Sequence, residues 1–318
     1  MSQGATVHLI TGKGGTGKSS FAAALTKSLS DSGQGPVLLL ELQSSGRALQ
    51  ILGQPQAQFQ NQSLPLTKAA WGARLMPKET FKQYFSVLLS LGDTQSSFAQ
   101  VTSVLRERFV DALFDNKVVS AFIDVCPGLE PAVLLGKIHW EATSGGTPER
   151  KTPWKHVVVD APSTGHSLML FKSTRALTSV FGQGTIFKQA TEIMSFITNP
   201  QKTKIHLISS IEELPLTETK DLMAALQKLQ VQVHRVWLNR YPDQLQHLGE
   251  SRPSHLPEAW GNEWDLEKER WTQTRALIED FKSHVGSLPC ALIPEIQDND
   301  DAQFCQKMVQ SLEAPNEL

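Results

Sequence analysis

The feature that most constrains this chain is a glycine-rich loop between an apolar segment and a helical segment. The loop, residues 12–20, reads Gly-Lys-Gly-Gly-Thr-Gly-Lys-Ser-Ser and satisfies the spacing G-x-x-x-x-G-K-[ST]. Glycines allow consecutive backbone N–H groups to curl around phosphate oxygens, and the N-terminus of the following helix adds the positive end of its dipole. The spacing therefore predicts a loop that binds nucleotide phosphates.

The residues of this loop have separate expected roles. The Lys18 ammonium would contact the β- and γ-phosphates of ATP, and the Ser19 hydroxyl would bind Mg²⁺. The alternative is a glycine-rich turn that carries a lysine by chance. Under the first interpretation the nucleotide is bound by Gly12, Gly14, Gly15, Thr16, Gly17, Lys18, Ser19 and Ser20.

Short apolar runs alternate with helical patterns along most of the chain. Strands are predicted for residues 6–11, 36–41, 156–160, 204–209, 231–238 and 288–293. Most of these runs are apolar nearly throughout, which is typical of parallel strands that helices cover on both faces. The predicted fold class is therefore α/β, with a doubly wound, mostly parallel sheet as the P-loop NTPase core. No comparable strand is predicted between Glu41 and His156, and we expect the tail from Ala314 onward to be frayed.

The interval between the second and third predicted strands has a different pattern. From Pro77 onward, apolar residues recur at the i, i+3, i+4 and i+7 spacing of amphipathic helices. We interpret residues 76–145 as a helical subdomain inserted into a single ATPase domain, residues 1–318. The α/β core then comprises residues 1–75 and 154–318. The insertion is a candidate client-binding surface, and the alternative is that its helices pack only on one another and on the sheet.

Composition and cysteine usage limit the class of protein. The chain has 30 Lys and Arg residues against 32 Asp and Glu residues, a balance that argues against nucleic acid as a partner. Its three cysteines, Cys126, Cys290 and Cys305, are far apart and form no C-x-x-C pair, which is typical of reduced thiols. No apolar run approaches the ~20 residues of a membrane helix, and no signal peptide is recognisable. We expect a cytoplasmic protein without direct membrane insertion.

A second motif begins in the third predicted core strand. Residues 157–168 read Val-Val-Val-Asp-Ala-Pro-Ser-Thr-Gly-His-Ser-Leu. An apolar strand that ends in Asp and continues into a Pro/Gly loop and a helix is suited to sensing Mg²⁺ and a γ-phosphate. Asp160 would supply a carboxylate to Mg²⁺-bound water, and Gly165 would offer its N–H to the γ-phosphate. The alternatives are that Asp160 is a strand-end cap and that His166 is an ordinary loop histidine.

Together the two motifs resemble those of the ArsA family of ATPases. Lys13, one residue after the first glycine, resembles the second lysine of the deviant Walker A loop that this family shares with MinD and ParA. Residues 160–168 resemble the family segment D-T-A-P-T-G-H-T-L, which contains a histidine at the position of His166. The resemblance implies ATP and Mg²⁺ as cofactors, with Ser19 and Asp160 at the metal. It also implies that Lys13 contacts the nucleotide of a facing subunit, and a solvated loop lysine is the alternative.

The resemblance extends over nearly the whole chain. Residues 127–130 and 211–219 resemble two further family segments, P-G-x-x-E and the stretch leading into an E-T-x-x-L helix. Asn239 stands where a family asparagine contacts adenine, and an Asn amide has the donor and acceptor that this base requires. Asn is also common at strand ends. Pro294 falls in the loop that flanks the base in the family.

The main departure from the family is the segment after the second predicted strand. Family members usually carry D-P-A-H there, whereas this chain has Glu41-Leu42-Gln43-Ser44-Ser45, with Gln43 at the Asp position. A glutamine can orient a water molecule but cannot accept its proton. Glu41 is a candidate substitute, and the alternative is a strand-end carboxylate bound to a neighbouring loop. We expect slow hydrolysis, or hydrolysis completed by residues of a partner subunit.

The function that the resemblance implies is a dimeric nucleotide switch. Its partners would be a second copy or a related ATPase subunit, and a hydrophobic protein client such as a membrane protein. The alternative class is a scaffold or positioning protein like MinD or ParA. An arsenite-pump ATPase is the third interpretation, but its As(III) site needs grouped thiolates and no two cysteines here are close in sequence.

Overall fold

The structure is a computed structural model, which describes residues 4–42, 46–54, 62–76, 79–81, 128–148, 151–180, 182–247 and 260–318. The strands are β1 (Thr6–Thr11), β2 (Val37–Glu41), β3 (Leu64–Pro65), β4 (Ala70–Arg74), β5 (His156–Asp160), β6 (Thr203–Ser210), β7 (Val233–Tyr241), β8 (Cys290–Pro294) and β9 (Asn316–Glu317). The α-helices are α1 (Lys18–Asp31), α2 (Arg47–Ile51), α3 (Leu129–Ser144), α4 (Thr164–Val180), α5 (Thr185–Thr198), α6 (Glu213–Lys228), α7 (Gly261–Val285) and α8 (Asp301–Glu313).

The strands form one sheet in the order β3-β4-β2-β5-β1-β6-β7-β8-β9. All neighbours are parallel except the two edge pairs, β3 with β4 and β8 with β9. The predicted α/β fold with a mostly parallel sheet is confirmed. Because β1, β2 and β5 are neighbours, the loops that follow them meet at one edge of the sheet.

Helices cover both faces of the sheet. One buried cluster contains Leu9, Leu38 and Val157 and is completed by α3, α4, α5, α6 and α7. The other contains Ile10 and Val158 and is completed by α1, α2 and α8, and we call this side the α1 face. Successive strand residues thus enter opposite clusters, which explains why the strands are apolar throughout.

Two strands contradict the expectation that none lies between Glu41 and His156. β4 pairs in parallel with β2, from Val37 with Ala70 to Glu41 with Arg74, and β3 pairs with β4. The β4 sequence Ala-Trp-Gly-Ala-Arg lacks β-branched residues, so its propensity for a strand is weak. Tertiary packing overrides that propensity, because Gly72 lies against the Leu49 side chain, where a Cβ would collide.

The chain end and α3 also pack more closely than the sequence suggested. β9 pairs with β8, and the Leu318 N–H donates to the Cys290 carbonyl at 2.9 Å, so the prediction of a frayed tail was wrong. α3 belongs to the larger core cluster, and the Ala5 N–H donates to the Ala142 carbonyl at 2.8 Å. The helical pattern predicted from Pro77 onward is seen at residues 79–81, its remainder up to residue 127 lies outside the described residues, and the domain boundaries stay a prediction. None of the described helices has the length and hydropathy to cross a membrane.

Candidate functional site

The glycine-rich loop joins β1 to α1 through backbone conformations that favour glycine. Gly12, Gly15 and Gly17 have φ angles of 149°, 82° and 100°. These lie in the left-handed region, where a side chain is strained. A Cβ at Gly12 would collide with the Ile208 carbonyl oxygen, and one at Gly17 with Nδ2 of Asn239. Two strands of the sheet therefore contact the loop, β6 at Gly12 and β7 at Gly17.

The outer side of the loop is open. Gly14 and Gly15 are exposed, and a Cβ at either position would have no atom within 4 Å. Ser20 follows on the first turn of α1 and is partly buried. The backbone N–H groups around Gly14 and Gly15 therefore lie where a phosphate has room to approach.

Lys18 provides a buried positive charge in the loop. Its side chain is only 6% exposed, and its Nζ donates to the Lys13 carbonyl at 2.8 Å. The Thr16 hydroxyl donates to the same carbonyl at 2.9 Å. Burial lowers the Lys18 pKa, and the nearby Asp160 charge offsets part of this effect. A desolvated ammonium with one backbone acceptor is well suited to pair with phosphate oxygens.

Ser19 and Asp160 meet at the carboxyl end of β5. The Ser19 hydroxyl donates to Asp160 Oδ2 at 2.6 Å, and Asp160 is fully buried. Burial raises the Asp160 pKa to about 6, while the Ser19 hydrogen bond and the Lys18 charge act in the opposite direction. Asp160 Oδ1 has no hydrogen-bond partner among the described residues. A hydroxyl oxygen and an unpaired carboxylate oxygen are suitable ligands for Mg²⁺.

Glu41 lies beside Asp160, because the two residues are partners in the β2–β5 register. Its Oε1 accepts hydrogen bonds from the backbone N–H groups of Ala48 at 2.6 Å and Leu49 at 3.3 Å, at the start of α2. Burial and the Asp160 charge raise its pKa to about 7, against the lowering effect of these bonds and of Arg74. The carboxylate is thus bound to a neighbouring segment, the alternative named above. Gln43 lies outside the described residues.

The two expected phosphate-sensing residues lie on the first turn of α4, where Gly165 and His166 are exposed. Their position is tied to the end of β1, since the Thr11 hydroxyl donates to Ser167 Oγ at 2.7 Å and contacts the Pro162 carbonyl at 3.2 Å. The structure thus brings the α4 N-terminus to the edge of the sheet that carries the glycine-rich loop. Whether these residues contact phosphate stays a prediction.

Residues of β7 and α6 hold the loop from the other side. The Asn239 Nδ2 donates to the Thr16 carbonyl at 2.9 Å, using the amide that the family resemblance assigns to adenine. Arg240 donates to the Gly15 carbonyl at 3.1 Å, and Lys13 forms an ion pair with Glu218 at 2.9 Å. The sequence did not predict the contacts of Arg240 and Glu218, because no local spacing links them to the loop.

Two recesses lie at the carboxyl ends of β6, β7 and β8. The larger, of about 690 Å³, is lined by Ser210, Arg240, Arg270 and Glu295, among others. Pro294 lines its neighbour, of about 410 Å³. Recesses of this size fit a nucleoside. The structure therefore places Pro294 beside a space of suitable volume, although the adenine contact itself is untested.

Comparison with known proteins agrees with this geometry. The family described as anion-transporting ATPase matches residues 183–252, a segment that includes β6, α6 and β7. ATPase BagA of Mycobacterium tuberculosis and a Mycobacterium bovis protein also named as an ATPase are each 28% identical to this chain over 243 residues. The similarity covers 74% of this chain and 65% of each relative, so the chain spans less than two thirds of their length. With its parallel sheet and its phosphate loop, the chain is similar to the ArsA family of P-loop ATPases.

Proposed function

We propose that this chain binds Mg·ATP at the glycine-rich loop and hydrolyses it as a nucleotide switch. The observation that carries the proposal is the 2.6 Å hydrogen bond between Ser19 and Asp160 beside the buried Lys18. These three groups combine a phosphate partner with two metal-binding oxygens. Similarity to the anion-transporting ATPase family and to ATPase BagA supports the same activity.

The loop residues would act through charge and hydrogen bonding. Lys18 would exchange the Lys13 carbonyl for phosphate oxygens, a stronger partner because both groups are charged. Ser19 and Asp160 would hold Mg²⁺, which supplies positive charge to the β- and γ-phosphates when bound. Gly165 and His166, at the exposed start of α4, would follow the γ-phosphate and move the helix when it leaves.

Hydrolysis is proposed to be slow. Glu41 already accepts two backbone hydrogen bonds from α2, so it is a poor candidate for the base that activates water. Gln43 would orient the water without taking its proton. A turnover of several per second per site in the purified protein would contradict this part of the proposal.

The switch is proposed to work as a dimer with a second copy or a related ATPase subunit, coupled to a hydrophobic protein client. Lys13 is the residue proposed to reach the facing nucleotide. It is partly exposed and paired with Glu218 of its own chain, so closure would break this ion pair. Mixing Lys13→Ala subunits with Lys18→Ala subunits tests the contact, because activity should differ from that of either variant alone.

The described cysteines do not favour arsenite as the substrate. Cys290 belongs to the cluster opposite the α1 face, whereas Cys305 lies on the α1 face. Burial raises the pKa of Cys290 to about 12 and that of Cys305 to about 11, so both thiols are protonated at neutral pH. Thiolates are the form that binds such ions.

The direct test is phosphate release from ATP by the purified chain. We expect activity that requires Mg²⁺ and is lost in Lys18→Ala and in Asp160→Asn. Binding of a fluorescent ATP analogue should separate the two variants, since Lys18→Ala removes phosphate contacts and Asp160→Asn acts mainly through the cation. Wild-type protein that neither binds nor hydrolyses ATP would overturn the proposal.

A further inference from the structure

Two buried carboxylates, those of Glu41 and Asp160, each have one oxygen without a hydrogen-bond partner among the described residues. Glu41 and Asp160 are 1% and 0% exposed, and both project from neighbouring parallel strands toward the α1 face. Each uses one oxygen in the hydrogen bonds described above. The other oxygen, Oε2 of Glu41 and Oδ1 of Asp160, has no hydrogen-bond partner among the described residues.

Such an arrangement is costly without a cation. A buried polar atom without a partner is destabilising, and more so when it is charged. Two like charges on adjacent strand ends add mutual repulsion, and Arg74, the β4 residue in register with Glu41, is the positive group acting on Glu41. A divalent cation between the two carboxylates would satisfy both unpaired oxygens.

We propose that Glu41 is a further group of the divalent-cation site, contributing Oε2 alongside Asp160 and the Ser19 hydroxyl. The inference rests on the proposed Mg·ATP site and adds a residue to it. It also gives a chemical reason for a carboxylate at this position in a chain where Gln43 replaces the usual Asp.

The second oxygen of Glu41 connects this site to α2. Oε1 holds the first turn of that helix, and Arg47 on the same turn forms two hydrogen bonds with Asp301 of α8, at 2.9 and 2.7 Å. A cation that fixes Oε2 therefore also fixes the helix that follows Gln43 in the chain. As a ligand of the cation, Glu41 thus links cation binding to the start of α2.

The Glu41→Gln variant distinguishes cation binding by Glu41 from a role as a simple helix cap. The Glu41→Gln side chain keeps a carbonyl oxygen that can accept from Ala48 and Leu49, but it loses the charge that a cation needs. Glu41→Ala loses both functions. Glu279→Gln, on the exposed side of α7, is a matched control for the loss of one carboxylate.

The experiment measures Mn²⁺ binding to the full chain in the presence of ATPγS, by the electron paramagnetic resonance of free Mn²⁺. We expect Glu41→Gln to weaken Mn²⁺ binding about tenfold, with Glu279→Gln unchanged. Wild-type Mn²⁺ affinity in Glu41→Gln would overturn the inference and leave Glu41 as a helix cap. Wild-type protein that binds no Mn²⁺ with ATPγS would instead overturn the proposed function.

A second measurement needs no variant. Hydrogen exchange of the Ala48 and Leu49 amides should slow when Mn²⁺ is added to the wild-type protein with ATPγS, because Oε1 and Oε2 belong to one carboxylate. Exchange that is the same with and without Mn²⁺ would contradict the link between the cation and α2.

Discussion

Two buried polar regions lie on the α1 face of the same sheet and differ in how their groups are satisfied. The first is the pair of carboxylates at the strand ends, each with an unpaired oxygen. The second is a row of side chains across β5, β1, β6 and β7, formed by His156, His8, His206 and Trp237. Each neighbouring pair in this row is joined by a hydrogen bond of 3.2 Å.

The bonds of the histidine row require one arrangement of protons. The Trp237 indole can only donate, so Nδ1 of His206 accepts and its Nε2 carries the proton. That proton is donated to Nδ1 of His8, whose Nε2–H in turn donates to Nδ1 of His156. All three imidazoles are then neutral Nε2–H tautomers. Protonation of any of them would set two donors against each other.

The contrast distinguishes buried polar groups that stabilise the fold from those that are expected to bind a ligand. Within the histidine row, each hydrogen bond pairs a donor with an acceptor, as is usual for buried groups that serve only the fold. At the strand ends the fold leaves carboxylate oxygens unpaired at the edge that carries the phosphate loop. These two unpaired oxygens, on adjacent strand ends beside the loop, lie where a ligand is expected to complete the structure.

The largest expected effect is loss of function without loss of stability. Lys18→Ala should lower ATP turnover about 100- to 1,000-fold, because the buried ammonium is the proposed main phosphate partner within the loop. The midpoint of thermal unfolding should stay close to that of the wild type. Phosphate release and calorimetry test the two halves of this prediction. A variant that keeps wild-type turnover would show that Lys18 does not contact the nucleotide.

The histidine row should show the opposite behaviour. His206→Leu leaves the Trp237 indole and Nδ1 of His8 without partners, which should cost about 2–3 kcal/mol of the free energy of unfolding at pH 7.5. Activity per folded molecule should persist. Urea denaturation measures the loss, with His284→Gln on exposed α7 as the control. A neutral outcome would mean that the row is not a stabilising network.

The two regions should respond to pH with opposite signs. Burial lowers the pKa of His8 to about 3 and that of His206 well below 6.5. Below pH 6.5 the unfolded chain therefore binds more protons at these histidines than the folded chain does. Their contribution lowers the free energy of unfolding as pH falls below about 6.5. The raised pKa values of Glu41 and Asp160 act in reverse, adding stability as pH falls from about 7 toward 4.5. The two effects oppose each other in the wild type.

Removing one histidine should change how the free energy of unfolding depends on pH. Relative to the wild type, His206→Leu should gain up to about 1.4 kcal/mol of unfolding free energy per pH unit as pH falls below about 6. Urea denaturation at several pH values gives the slope of both proteins. Parallel slopes would show that His206 has the same protonation in the folded and unfolded chains.

The smallest expected effect concerns the ion pair of Lys13 with Glu218. Glu218→Gln should change unfolding free energy by less than about 1 kcal/mol, because both side chains are partly exposed. If Lys13 must leave Glu218 to reach a facing subunit, the same change should strengthen ATP-dependent dimerisation by up to about fivefold. Sedimentation equilibrium with ATPγS measures this, and weaker dimerisation would indicate that Glu218 itself supports the interface.

Local sequence patterns predicted the elements whose formation depends on residues close in sequence. The apolar run of residues 156–160 predicted β5 with its observed ends, and the glycine spacing predicted the strand–loop–helix unit around Gly12. β4 was missed, because a glycine and two alanines form a strand only when β2 and Leu49 are already in place. The contact of Glu218 with Lys13 was missed for the same reason, since 205 residues separate the two.

The phosphate loop, the parallel sheet and the resemblance to the ArsA family could all be predicted from the sequence, because each depends on spacings within one segment or on an alternation repeated along the chain. The tertiary structure was needed to show that Glu41 binds α2, that Asn239 holds the Thr16 carbonyl and that three buried side chains and the partly buried His156 form one hydrogen-bonded row. Hydrogen bonds between distant residues depend on strand order and register. These follow from the packing of the whole core, which no local pattern contains.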